Sequence, residues 1–236
     1  MIRSKVTRRK FLDYAKLSVL FFLSSCQNLT KKISIGFYNN FLPNSLIDSF
    51  PKTWIKKNIN FQNENLFNQD LMIINDGWIK NLNTNYFEDI ETILLDQLNM
   101  MSNNYISTWD KLERKKLFPI GVVPYGIVIK NNYLFKITNA DNWELLLSEE
   151  FTGKMILPNS PRILLSLANK INKKDSLKAL INQNNIYDDK NAIDWLINKN
   201  ANLAILPLTH CQKYLKIDSR LSLIFPNDGV PLMWNF

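Results

Sequence analysis

Leu71-Met72-Ile73-Ile74-Asn75-Asp76-Gly77-Trp78 is the stretch that decides the fold: four apolar residues, three turn formers, then the start of a helix. A short, continuously apolar run closed by Asn-Asp-Gly reads as a buried strand that ends in a turn and feeds a helix. The same grammar recurs on either side. Upstream, residues 33–38 read as a strand, followed by Asn39-Asn40, Pro43 and an amphipathic helix over 45–50, with a weaker strand at 59–61. Downstream, helix continues over 94–101, and 118–129, where two Pro and two Gly sit among Val and Ile, is strand and crossing. Asp141 is placed to cap a helix opening at Trp143, and 154–157 is a strand. Helices follow at 161–171, whose first position suits Pro161, at 175–181 and at 191–197, and strands at 203–206 and 221–225 close the set. Strands alternating with helices imply the α/β class, with a parallel-rich sheet covered on its faces.

In such sheets ligands bind outside the carboxyl ends of the strands, where loops lead into helices. That rule selects residues 39–41, Asn75 to Trp78, Tyr125, Asn159 to Arg162, Leu208 to His210, and Trp234-Asn235. Aromatic and amide side chains are prominent among them, and a flat apolar wall with a few directional polar groups suits a small-molecule cleft. Each one alone also reads as a core aromatic or a turn asparagine.

The N-terminus is written differently. Arg3, Lys5, Arg8, Arg9 and Lys10 form a cationic head, 17–23 a mostly apolar run, and Ser24-Ser25-Cys26 a small-residue end. The run is far shorter than the roughly 20 residues of a membrane-spanning helix, so the segment reads as a signal that is removed. Arg8-Arg9 followed by Phe11-Leu12 resembles the twin-arginine signal for export of folded proteins. Ser-Ser-Cys resembles the lipobox of bacterial lipoproteins, in which Cys26 is acylated and becomes the new N-terminus. An uncleaved N-terminal anchor is the other reading, and it too faces the chain outward.

Removing residues 1–25 takes away six Lys/Arg and Asp13, which is +5 of the formal +8, and leaves the mature chain near +3. That is an ordinary surface. The one basic triplet, Arg114-Lys115-Lys116, reads as a solvated helix end, and nucleic acid is not an expected partner. With Cys26 acylated, Cys211 has no partner for a disulfide and reads as a small buried hydrophobe. His210, the one histidine, stands beside it, but neighbouring side chains point in different directions and no third group suggests a catalytic set. One His and one thiol do not make a metal site, so no metal or cofactor is expected. A mature chain of 46% hydrophobic composition over the whole sequence buries a real core, as one large domain or two small lobes.

Several segments, in order, resemble the solute-binding proteins of spermidine/putrescine-type ABC transporters. They are Gly36-Phe37-Tyr38-Asn39 leading to Leu42-Pro43, Asp70-Leu71-Met72-Ile73 before a turn, and Asn142-Trp143-Glu144-Leu145-Leu146 followed by Phe151-Thr152-Gly153-Lys154. Pro161-Arg162, Ala201-Asn202-Leu203-Ala204 and Phe225-Pro226-Asn227-Asp228-Gly229 to Trp234 continue the series. The resemblance implies a two-lobed periplasmic-binding-protein-like (type II) fold, each lobe a mixed sheet flanked by helices. Residues 26–30 would be an anchor linker, 31–119 lobe 1, 120–231 lobe 2 and 232–236 the start of a return crossing, with a solute held between the lobes. It further implies a lipid-anchored, periplasmic partner of an ABC permease. The ligand-binding residues it places are Asn40, Phe41, Asn75, Trp78, Tyr125, Ser160, Arg162, Trp234 and Asn235, with Ile163, Pro207 and Met233 nearby.

The sequence departs from that family in two respects. Ser160 and Ile163 stand near expected acids, Pro207 near an expected Trp and Asn235 near an expected Asp, and an amide cannot neutralise an ammonium. A polyamine would then rely on Asp76 and Asp228, while an uncharged or anionic solute would use Arg162. The family also continues past this Trp into further helices, so the resemblance implies a shortened relative. An extracytoplasmic interaction or assembly lipoprotein without ligand binding is the alternative, and an enzyme on the same fold is the least favoured reading.

Overall fold

The computed structural model describes residues 32–37, 42, 44–59, 68–79, 82–134, 142–171, 173–183, 185–188 and 190–236. The leader with Cys26, and Tyr38 to Phe41, lie outside the described residues. The chain divides into two compact units, Met1–Gly121 with Asn235–Phe236, and Val122–Trp234.

In the first unit, β1 (Ser34–Phe37) is followed by α1 (Asn44–Ser49), β2 (Ile55–Asn58) and β3 (Leu71–Ile73). Strands β2 and β3 run parallel to β1 on its two sides, giving the order β2-β1-β3. The central strand is buried along its whole length, whereas β2 is an edge whose four residues, Lys56 and Lys57 among them, face solvent. Ile35, Phe37 and Ile73 pack with Leu42 and Phe50 into one core, against which Trp54 and Ile120 rest. Ser34 and Asp70 lock the β1–β3 entry: the Ser34 backbone N–H and hydroxyl both donate to Asp70 Oδ2, at 2.8 and 2.7 Å. Short helices α2 (Asp76–Ile79), α3 (Thr92–Leu95), α4 (Met100–Ile106) and α5 (Lys111–Arg114) complete the unit.

In the second unit the sheet is mixed. The long β4 (Gly121–Lys130) leads to β5 (Met155–Ile156), α6 (Pro161–Ile171), α7 (Ser176–Asn182) and α8 (Ala192–Asn198). Then come β6 (Leu203–Pro207), α9 (Leu208–Ile217), β7 (Leu221–Ile224) and β8 (Leu232–Asn235). The order is β5-β6-β4-β7, with β8 also paired to β4; β4 runs antiparallel to both β6 and β7, while β5 and β6 are parallel. All five residues of β6 are buried, as expected of a strand covered on both faces. Val128, Ala204 and Leu206 pack there with Leu196, Cys211 and Leu221.

The α/β reading stands, and several local expectations are corrected. A strand the sequence did not announce lies at Ile55–Asn58, where pairing with β1 sets the register, Ser34 opposite Ile55 through Phe37 opposite Asn58; of the expected strand at 59–61, residues 60 and 61 lie outside the described residues. Helix over 94–101 is interrupted, since Asn99 Oδ1 accepts from the Ser102 N–H at 2.9 Å and starts α4 afresh. The segment at Trp143–Leu147 is a 3-10 helix capped by Asn142; Asp141 lies outside the described residues. The sheet of the second unit is mixed rather than parallel-rich, and β8 and α9 are additional elements.

Candidate functional site

The predicted residues fall into two groups, one in each unit. In the first, the exit of β3 turns directly into α2. Asn75 forms an isolated antiparallel bridge with Asn235, and its side-chain oxygen accepts from the Gly77 N–H at 3.1 Å. That amide is thus engaged in the turn. Both asparagines are buried, at 7% and 4% exposure, whereas Trp78 on α2 is 40% exposed. Asp76 lies between them, 5% exposed, with Oδ2 accepting from the Tyr105 hydroxyl at 2.6 Å. The Tyr105 ring stacks on Phe236 at 6.0 Å, and Trp109 meets Phe236 edge-on at 5.9 Å and Tyr105 at 6.3 Å.

A buried carboxylate hydrogen-bonded to one ring of a three-ring aromatic cluster combines the negative charge and the π faces that favour an organic cation. Sequence reasoning singled out Asp76 and missed Tyr105, Trp109 and Phe236. The signal available was the four-residue spacing of Tyr105 and Trp109, which puts both on one side of the turn that ends α4. Asn40 and Phe41 lie outside the described residues.

In the second unit, Tyr125 on β4 is opposite Pro207 on β6 and is 1% exposed, and its hydroxyl contacts Met233 Sδ at 3.6 Å. Ser160 precedes α6, where its carbonyl accepts from the Leu164 N–H at 3.0 Å. Arg162, in the first turn of that helix, donates from Nη1 to the Leu232 carbonyl at 2.9 Å. The structure therefore joins Arg162 to the strand that carries Trp234, itself 5% exposed. Ile163 is wholly buried in the core and offers no surface. Asp228 sits on an exposed turn, its carbonyl accepting from Lys170 Nζ at 3.2 Å.

His210 and Cys211 open α9. The Cys211 thiol is fully buried and donates to the Leu208 carbonyl at 3.6 Å, and burial pushes it up to about 11. Such a thiol is a poor nucleophile at neutral pH. Among the described residues no group of three or more His, Cys, Asp or Glu is arranged to hold a metal, and no helix is long and apolar enough to cross a membrane.

No protein-family model matches the chain, and no curated protein matches it significantly. Solved structures do. The spermidine/putrescine ABC transporter substrate-binding protein PotD of Streptococcus pneumoniae is 14% identical with a TM-score of 0.60, covering 87% of this chain and 71% of its own. The TpPotD lipoprotein of Treponema pallidum is 14% identical with a TM-score of 0.59, covering 87% and 73%. A ferric binding protein of Campylobacter jejuni is 17% identical with a TM-score of 0.59, covering 86% and 74%. At these identities the likeness is one of fold: this chain has the mixed α/β fold of periplasmic binding proteins, with sheets flanked by helices.

Proposed function

We propose that this protein is the solute-binding component of an ABC importer, held in the periplasm by acyl chains on Cys26, which captures a small organic cation of the polyamine class and hands it to an ABC permease. The observation that carries the reading is the Asp76 cluster at the exit of β3. A desolvated ammonium needs an opposite charge and benefits from π faces, and Asp76 with Tyr105, Trp109 and Phe236 supplies both. Trp78, Asn75 and Asn235 border that cluster in sequence and would contribute alongside Asn40 and Phe41. Tyr125, Ser160, Arg162 and Trp234 are the further ligand-binding residues that the family resemblance implies. The Arg162 bond to the Leu232 carbonyl gives this arginine a structural task, which weighs against an anionic solute.

On this reading residues 1–25 are a twin-arginine lipoprotein signal, 26–30 a linker, 31–119 and 120–231 the two lobes and 232–236 the return. The alternative, an assembly lipoprotein that keeps the fold without a ligand, draws support from the near-complete burial of Tyr125 and Trp234. A thermal-shift panel of putrescine, spermidine, amino acids and small anions separates the two. A binder gains RT ln(1 + [L]/Kd), about 2.7 kcal/mol at a hundredfold excess over Kd. An empty scaffold shows no shift with any of them.

A further inference from the structure

The second unit carries a recess at the other end of its sheet from Tyr125. Tyr125 faces Pro207 where β6 ends, while Ile129 faces Leu203 where β6 begins, so Lys130 lies about 17 Å along β4 from Tyr125 at roughly 3.4 Å per residue. There a cavity of about 250 Å³ has a floor of Leu196, Ile197 and Leu221 and a rim of Lys130, Asn132 and Arg220. The volume is below the roughly 300–1,000 Å³ of pockets that take drug-sized molecules, so the guest it suits is no larger than an amino-acid side chain.

The two cations of the rim are held in place. Arg220 is clamped by Asp218, through Nε to Oδ1 at 3.0 Å and Nη2 to Oδ2 at 2.7 Å, which leaves Nη1 with no bond among the described residues. Asn131 closes the corner behind it: its N–H donates to the Arg220 carbonyl at 2.8 Å, its amide to the Ser219 carbonyl, and its side-chain oxygen accepts from Ser222. Lys130 Nζ donates to the Lys199 carbonyl at 3.3 Å. Burial, and then the charge of Arg220, hold the Lys130 ammonium below the ordinary lysine range. The nearby carboxylates are already engaged, Asp218 by Arg220 and Asp194 by Lys199 at 3.3 Å. With Arg220 offset by Asp218, the rim keeps one uncompensated positive charge, Lys130, beside the Nη1 donor of Arg220, and over an apolar floor this is complementary to a single anion with an apolar body.

We infer that this recess binds a small aliphatic monocarboxylate, its chain on Leu196, Ile197 and Leu221 and its carboxylate between Lys130 and Arg220. The inference is independent of the proposed transport function, since none of these residues belongs to the Asp76 cluster. The test is titration of the isotope-labelled full chain with hexanoate and with uncharged hexanamide, followed by amide NMR to ~20 mM, where even a millimolar site is filled. Expected are saturable hexanoate shifts confined to Lys130 to Asn132, Leu196-Ile197 and Arg220-Leu221, with hexanamide at least about tenfold weaker, as the loss of charge-assisted hydrogen bonds requires. Lys130→Gln, which removes one exposed bond, should weaken hexanoate about tenfold with the rest of the spectrum unchanged, and Asp76→Asn should leave it unaltered. Unsaturable or scattered shifts, equal binding of hexanamide, or wild-type affinity in folded Lys130→Gln would each overturn the assignment.

Discussion

At the scale of single residues the account rests on Asp76. Removing its charge leaves a bound ammonium without its counter-ion, and truncating one partner of a buried charge pair costs about 2–5 kcal/mol. Asp76→Asn should therefore weaken spermidine binding by at least about thirtyfold in a fluorescence titration. Tyr105→Phe, which keeps the ring and removes the hydroxyl that bonds Asp76 at 2.6 Å, should lose less. Cys211 makes a contrary forecast, of silence. Its thiol at about 11 should resist iodoacetamide at pH 8 in the folded protein and react once urea unfolds the chain, as peptide mass mapping would register. Asp218 titrates at about 2, held down first by its bonds to Arg220. Its contribution to stability is thus present above the ordinary carboxylate value near 4 and disappears as pH falls through about 2. Asp218→Asn should flatten the melting-temperature profile over that window, by a small amount that salt reduces further because its partner Arg220 is exposed. Cys211 as a buried hydrophobe could be read from its lack of a partner. The role of Tyr105 could not, because its partner is 29 residues away and the contact belongs to tertiary packing.

At the scale of elements, the turn between β7 and β8 and the first residue of β8 are held by side chains from distant helices. Trp143, wholly buried, donates from Nε1 to the Gly229 carbonyl at 2.7 Å, and Arg162 reaches the Leu232 carbonyl. Gly229 adopts φ 86°, a left-handed conformation that closes the turn begun at Pro226. Trp143→Phe should cost about 1–3 kcal/mol by chemical denaturation, since it leaves a carbonyl without its donor; Trp143→Ala should cost about 3–5 kcal/mol through the cavity it opens.

Elements with a strong local signature were legible from residues alone. Pro161–Ile171 begins at a proline suited to the first turn and matches its expected limits. The helix Leu208–Ile217 also carried a pattern, Leu208, Cys211 and Leu215 on one stripe, but it follows β6 with no intervening loop, so the strand's hydrophobicity masked its start. The edge strand Ile55–Asn58 was missed in the reading because Lys56 and Lys57 lack any apolar signal, and only hydrogen bonding to β1 makes them a strand.

At the scale of the whole molecule, the fold is that of periplasmic binding proteins, and the chain's two compact units each hold a sheet flanked by helices. The proposed export and anchoring add a separate forecast: intact mass spectrometry of the protein from membranes should show a mature chain starting at a diacylated or triacylated Cys26, and an unmodified N-terminus would refute the anchor. The central claim is capture of an organic cation. Calorimetric titration of the folded chain with spermidine tests it most directly. The account predicts saturable binding at one site with a dissociation constant in the micromolar range or tighter, greatly weakened in Asp76→Asn. No saturable heat from spermidine or putrescine, with circular dichroism showing the protein folded throughout, would contradict it.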